Sequence, residues 1–433
     1  MQNTYLSLLA LLFDRSVGNI IRMIRVIRLP KAERGPVSWG FVGTLAVTLA
    51  YGLIMLFSAS YSSGYTKYGD IYHFIKPQAI VAVVGFAAML FLSRINYRAL
   101  RYLNETFYFV TLVLLVVALF MPSDSNGCYR WVYFPGGMSL QPSEMAKFAI
   151  ILGTADALDK RKDKIKNPIY GIVLPALPLI PVLILLKLEP HNSAMLLMCA
   201  IFGTMIFCAG GGGAWLFGAM GVGLAGGMAF LNHLANSESY AADRLGGVWG
   251  LTPTDTANML WQTRQSVYAI CTGGLFGVGI GNSVQKHQWL PYAENDFIFS
   301  VVCEELGFIG ALALILLFAA IIVQGIFIAL NAPDFFGTLL GIGITAQVAW
   351  QVFCHIGVVT ATLPNTGISL PFFSSGGTSL LLLLCEMGVL LSVSRAGNAR
   401  IRAQQQQSQR ELRERLRGSA PSGRTVYRRP QAQ

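Results

Sequence analysis

Ten nearly uninterrupted apolar stretches run along the chain, at roughly 38–60, 74–93, 104–121, 144–158, 169–188, 193–210, 213–234, 297–330, 337–361 and 377–394. A helix needs about 20 such residues to cross a hydrocarbon core. A membrane β-strand would alternate apolar and polar positions instead. The pattern therefore predicts an all-α integral membrane protein with about ten transmembrane helices over residues 38–395. Residues 235–296 form the longest stretch without a span and read as a large extracytoplasmic loop between helices 7 and 8. Local sequence also marks helix starts. Ser143, after Pro142, can cap the fourth span, and Asn295 or Asp296 can cap the eighth.

Composition agrees with lipid as the solvent. Of 433 residues, 54% are apolar and 12% charged, about half the charge of an ordinary soluble domain. That excludes a soluble enzyme, a disulfide scaffold and a disordered chain. The seven cysteines form no framework. Five lie in apolar runs, and only Cys128 and Cys271 lie in outer loops where they could pair. No CxxC or HExxH spacing implies a structural metal.

The net charge of +11 is mainly a topology signal. With ten spans threaded and both termini on one side, 24 of the 32 Lys and Arg residues fall on that side. The positive-inside rule makes it cytoplasmic, so no nucleic acid is needed to explain the charge. Residues 1–37 read as a cytoplasmic basic amphipathic arm, with Arg22, Arg25 and Arg28 recurring every three residues among Ile and Val. The Arg- and Gln-rich tail, 396–433, reads as cytoplasmic and mostly disordered, with a short helix over Arg410–Arg417.

Eight basic residues remain on or near the outer side, among them Arg130, Lys147, Arg244 and Lys286. Three polar clusters accompany them. Cys128–Phe148 carries Arg130, Glu144 and Lys147, the last two three residues apart and so on one helix face. The long loop carries Gln265, a glycine-rich stretch that lets N–H groups approach an anion, Lys286 and Asp296; Glu304 and Glu305 follow inside the next span. Leu363–Leu380 is broken by Gly and Pro and offers Ser374 and Ser375 at a helix start. Carboxylates and cations at membrane depth are costly, which makes function their default reading. Structural ion pairs and caps are the alternative. Together the clusters suit a cavity open outward that binds a lipid-linked phosphate, with a carboxylate at the water–lipid boundary as base.

These same residues resemble the SEDS family (shape, elongation, division and sporulation), closest to its FtsW-like branch. The resemblance rests on GLIMLFSAS, RWVYFPGGMSLQPSEMAK, the run from RQSVYAICTGG to VVCEELGFIG, and GVVTATLPNTGISLPFFSSGGTSLL, in that order. It implies a ten-helix protein of the bacterial cytoplasmic membrane, both termini inside, that polymerises lipid II into glycan strands at the outer face. It also implies a class B penicillin-binding transpeptidase as partner, with other divisome or elongasome membrane proteins. By resemblance, Asp296 matches the essential aspartate and Glu144 and Lys147 the polar pair of the QPSE motif. Arg130, Arg244, Gln265, Lys286, Glu304 and Glu305 match further motif positions.

The chain departs from the family pattern at LEPHNSA (Leu188–Ala194), at SSGGTS (Ser374–Ser379) and at LPYAEN before Asp296. A divalent cation such as Mg or Mn could assist the leaving diphosphate, but no ligand spacing marks a site. A lipid II flippase and a non-catalytic scaffold recruiting the transpeptidase are the competing functions. Division, elongation and sporulation stay open as cellular roles.

Overall fold

The computed structural model describes residues 33–122, 129–133, 139–210, 257–365 and 367–418, with Gly18, Val26, Ile27 and Pro30. The seventh predicted span, 213–234, and Arg244, Cys128 and most of the basic arm lie outside them. The other nine predicted spans each coincide with a helix. These are α1 (Trp39–Tyr68), α2 (Ile75–Leu92), α3 (Leu100–Ala118), α4 (Pro142–Asp159), α5 (Ile169–Leu188) and α6 (Asn192–Cys208), then α8 (Ile298–Leu330), α9 (Phe335–Val359) and α10 (Gly377–Gly418). Between α6 and α8 the long loop contains a further helix, α7 (Ala257–Gly273). Among the described residues, seven helices are long and apolar enough to cross a membrane. A two-residue antiparallel pair, β1 (Val132–Tyr133) and β2 (Ser139–Leu140), precedes α4.

Local chemistry sets several boundaries. Pro142 opens α4 at a position where its missing N–H costs nothing, and Glu144 complements the helix dipole in the first turn. Gln141, not Ser143, is the residue before that helix, and the Ser143 hydroxyl caps nothing. Phe297 likewise precedes α8, so neither Asn295 nor Asp296 caps it. Prolines at 175, 178 and 181 break α5 into a π-helical turn at Ile169–Val173, a short turn and a regular segment from Leu179. The tail departs from expectation, since α10 continues unbroken to Gly418. Ala, Gln, Arg, Glu and Leu are strong helix formers, and a helix already nucleated in the membrane extends without a new nucleation cost.

The helices pack through small residues, as helices in lipid do. The apolar core gathers around α1, α8, α9 and α10. One end of the bundle is held by ion pairs. Arg98 bonds both Glu33 and Asp334 at 2.6 Å, and Arg101 pairs with Asp159. Burial would raise the Asp334 carboxyl, but the Gly337 N–H, Arg98 and Tyr97 outweigh it and hold the group below its ordinary value.

Inside α8 the helix breaks at Gly307 (φ 66, ψ −164). The break frees the carbonyls of Glu304 and Glu305, which accept from the N–H groups of Val278 and Gly279 at 2.9 Å. The Phe308 and Ile309 N–H groups donate in turn to the Gly274 and Leu275 carbonyls. Four backbone bonds thus bind the glycine-rich loop to the kink. Gly277 is required there. It sits at φ +77, and a Cβ would lie 2.2 Å from the Glu305 carbonyl oxygen. Gly277→Ala is expected to cost on the order of 3 kcal/mol through strain and collision, read as a fall in the thermal-unfolding midpoint of the detergent-purified protein.

Candidate active site

At the end of the bundle opposite the Arg98 and Arg101 ion pairs, a cavity of about 170 Å³ opens. Arg130 and Trp131 come from the segment leading into β1. Glu144 and Lys147 come from α4, and His191 and Ser193 from the start of α6. Tyr292, Asn295 and Asp296 precede α8; Gln351 comes from α9, and Gly367 to Ser369 from the chain after it. Ser375 to Ser379 enter α10. Asp296 is half-buried, and its carboxylate faces Gly367, where a Cβ would come within 3.4 Å of Oδ2. Lys147 is only 2% exposed, with its ammonium 2.8 Å from Glu144. The Ser379 hydroxyl donates to the other Glu144 oxygen at 3.1 Å, so α4 and α10 share one polar contact at the cavity wall.

The loop carrying Asp296 is fixed from α10's side. The Ser374 hydroxyl donates to the Asn295 carbonyl at 2.6 Å and accepts from the Leu370 N–H, and the Ser375 N–H donates to the Glu294 carbonyl. Gln78 from α2 clamps the same turn, donating to the Ser374 carbonyl and accepting from the Gly376 N–H. Behind the cavity lining, buried His355 donates through Nδ1 to the carbonyl of the lining residue Ile368 at 2.7 Å. Two buried groups stand at the departure LEPHNSA. Burial pushes the Glu189 carboxyl up to about 8, partly offset by Arg130. Burial, with Arg130 and Lys147 nearby, drives the His191 imidazole well below its usual range. A neutral ring therefore faces the cavity at neutral pH.

The sequence profile of a family described as "Cell cycle protein", FtsW/RodA/SpoVE, matches residues 39–399. The chain belongs to that family. It is 37% identical over 356 residues to the probable peptidoglycan glycosyltransferase FtsW of Geobacter metallireducens, covering 81% of this chain and 92% of that protein. It is 38% identical over 351 residues to stage V sporulation protein E of Bacillus subtilis, covering 80% and 94%. Among solved structures, one similar chain comes from a peptidoglycan synthase complex described as coordinating polymerization and crosslinking; the TM-score is 0.68 at 26% identity, covering 83% of this chain and 98% of that one. The rod shape determining protein RodA of Thermus thermophilus matches with a TM-score of 0.59 at 26% identity, covering 83% and 97%. Its helices and these relatives make this FtsW/RodA/SpoVE chain a multi-pass membrane protein.

In this FtsW/RodA/SpoVE chain, the cavity brings together Asp296, Glu144, Lys147, Arg130 and Ser375 of the residues singled out from sequence. Ser374 stands behind them, with its hydroxyl engaged by backbone. Lys286 is elsewhere. It is 1% exposed and its ammonium lies 2.6 Å from Glu305, over the Tyr61 ring and within reach of the Ser58 hydroxyl. Glu304 accepts from the Ser283 hydroxyl and from the Val284 and Gln285 N–H groups. The anion met by the segment after the glycine-rich loop is thus the protein's own Glu304. Gln265 is buried in α7 away from the cavity. Sequence reasoning missed Gln351, Ser379, Gln78 and the buried Glu386, which accepts from Gln347 at 2.8 Å. Polar residues at helical spacing inside apolar spans were the available signal. Among the described residues no group of three or more His, Cys, Asp or Glu could hold a metal ion.

Lys286→Met should leave Glu305 buried without its counter-charge, a loss of about 3–5 kcal/mol. The expected result is a lower thermal midpoint and poor recovery of monodisperse protein, partly restored by adding Glu305→Gln. Glu189 gives a pH-dependent expectation. Its carboxyl ionises near 4.5 when unfolded but at about 8 when folded, so the stability it contributes falls as pH rises between those values. Glu189→Gln should therefore raise the thermal midpoint relative to wild type at and above pH 8, with the difference shrinking toward pH 4.5.

Proposed function

We propose that the chain is a peptidoglycan glycosyltransferase that polymerises lipid II at the outer face of the bacterial cytoplasmic membrane, with Asp296 as general base. The observation that carries this reading is one cavity holding a half-buried carboxylate, Asp296, together with Lys147 and Arg130. Relatives named as probable peptidoglycan glycosyltransferases support the activity. The cavity lies at the opposite end from the loops rich in Arg and Lys, and the positive-inside rule then puts it outside, with both termini in the cytoplasm.

Chain growth joins a sugar 4-hydroxyl to an anomeric carbon that bears a lipid diphosphate. The hydroxyl loses its proton as the new C–O bond forms, and a carboxylate within reach takes it; Asp296 has that role. The anomeric C–O bond to the diphosphate breaks, and the departing group gains negative charge. Lys147 and Arg130 face that charge and stabilise it in a site shielded from bulk water. Glu144 orients the Lys147 ammonium, and the α10 turn at Ser375 supplies polar contacts. Lys286, Glu304 and Glu305 act one step back, holding the loop that ends in Asp296. A class B transpeptidase is the partner this reading assigns, in keeping with a similar chain's origin in a complex that polymerises and crosslinks.

Asp296→Asn keeps the shape of the side chain and removes its basicity. The purified variant should retain the wild-type thermal midpoint and lose about 100-fold or more of lipid II polymerisation, assayed with and without the transpeptidase. Near-normal glycan synthesis by this variant would remove Asp296 as base. An inactive wild type in the presence of its transpeptidase would overturn the activity itself.

A further inference from the structure

The departure from the family pattern at Leu188–Ala194 puts a histidine in the cavity wall. His191 stands immediately before α6 and is 6% exposed. Its side chain makes no capping bond to that helix. Its backbone N–H is already met by the Leu186 carbonyl at 2.9 Å. Nδ1 of the ring is enclosed and has no hydrogen-bond partner among the described residues. A polar ring buried in this way costs free energy, so packing alone would favour an apolar side chain here.

The surroundings of the ring favour an anion. Arg130 lies beside it, with Nη2 donating to the carbonyl of the preceding Pro190 at 3.2 Å. Lys147 lines the same cavity, its ammonium 2.8 Å from Glu144. Ser193 and Ala194, in the first turn of α6, line it too. The positive end of that helix's dipole therefore adds to the two cations. Burial beside Arg130 and Lys147 keeps the imidazole neutral, and a neutral imidazole carries one N–H.

We propose, on the reading of this cavity as a lipid II polymerase site, that His191 binds substrate by donating from Nε2 to a phosphate oxygen of the lipid diphosphate. Buried N–H groups are left unpaired more rarely than buried acceptors, which places the ring proton on Nε2 rather than on the enclosed Nδ1. A carboxylate at this position would repel the diphosphate. A third cation would repel Arg130 and Lys147 in the empty site. A neutral N–H adds a hydrogen bond without either cost. The diphosphate oxygens are charged before any bond breaks, so the contact forms in the bound substrate and acts chiefly on affinity.

The test turns on which ring nitrogen an amide can replace. Glutamine carries its NH2 near the place of Nε2, and asparagine carries it near that of Nδ1. In the full-length detergent-purified protein, His191→Asn should weaken binding of undecaprenyl diphosphate about tenfold. It should raise KM for lipid II to match, with the loss falling on KM more than on kcat. His191→Gln should stay within about threefold of wild type. Undecaprenol, which lacks the diphosphate, should bind all three proteins alike. In wild type grown on isotope-labelled histidine, undecaprenyl diphosphate should shift one imidazole Nε2–H resonance, a readout that needs no substitution. Equal diphosphate affinity in both variants and wild type, or no shifted resonance, would overturn the contact; lipid II polymerisation by the same wild type would leave the proposed activity standing. A loss in His191→Asn for lipid II but not for undecaprenyl diphosphate would move the contact to the sugar and overturn the phosphate assignment. A wild type that neither binds the diphosphate nor polymerises lipid II would remove activity and contact together.

Discussion

The break in α8 at Gly307 is the constraint on which the cavity end of the molecule rests. Backbone groups at membrane depth must find partners within the protein. A helix that interrupts its own ladder there exposes two carbonyls and two N–H groups, and the glycine-rich loop meets all four. Once the loop lies against the kink, Lys286 reaches Glu305 and Ser283 reaches Glu304. Those contacts fix where the chain stands as it runs on to Asp296. The position of a half-buried carboxylate in the cavity is therefore set by backbone bonding around a glycine some ten residues further on.

The two ends of the bundle treat charge differently. At the cavity end, Lys147 and Glu144 face each other in a confined space, where electrostatic attraction is strong and a misplaced charge is costly. At the other end, arginines are numerous and partly exposed, and water and salt screen them. The same residue types thus build a small preorganised site at one end and a broad positive surface at the other.

Much of this was legible in the sequence because lipid imposes a simple rule. Long apolar runs located nine of the described helices, even where prolines broke α5 or Gly307 broke α8. Glu144 and Lys147 were legible as a pair because a three-residue spacing fixes their common face. The pairing of Lys286 with Glu305 was not legible, since the two lie 19 residues apart and no local spacing encodes that meeting. Ser374 read as an anion ligand because hydroxyls at a helix start suit one; its role in holding the Asn295 carbonyl depends on a fold that brings residues 79 apart together. The tail looked unstructured because it buries little, although its composition up to Arg417 favours helix.

The continuity of α10 carries a consequence for how far its charges act. At about 1.5 Å per residue, some 20 residues from Gly377 traverse the hydrocarbon, and Arg410 then stands roughly 20 Å further along the rod. That is more than twice the screening length at physiological ionic strength, about 8 Å. Arginines near the helix's exit are within electrostatic range of lipid, whereas Arg410 and Arg413, both exposed, are not. The distal turns therefore continue as an exposed rod beyond the reach of the bilayer's own charge.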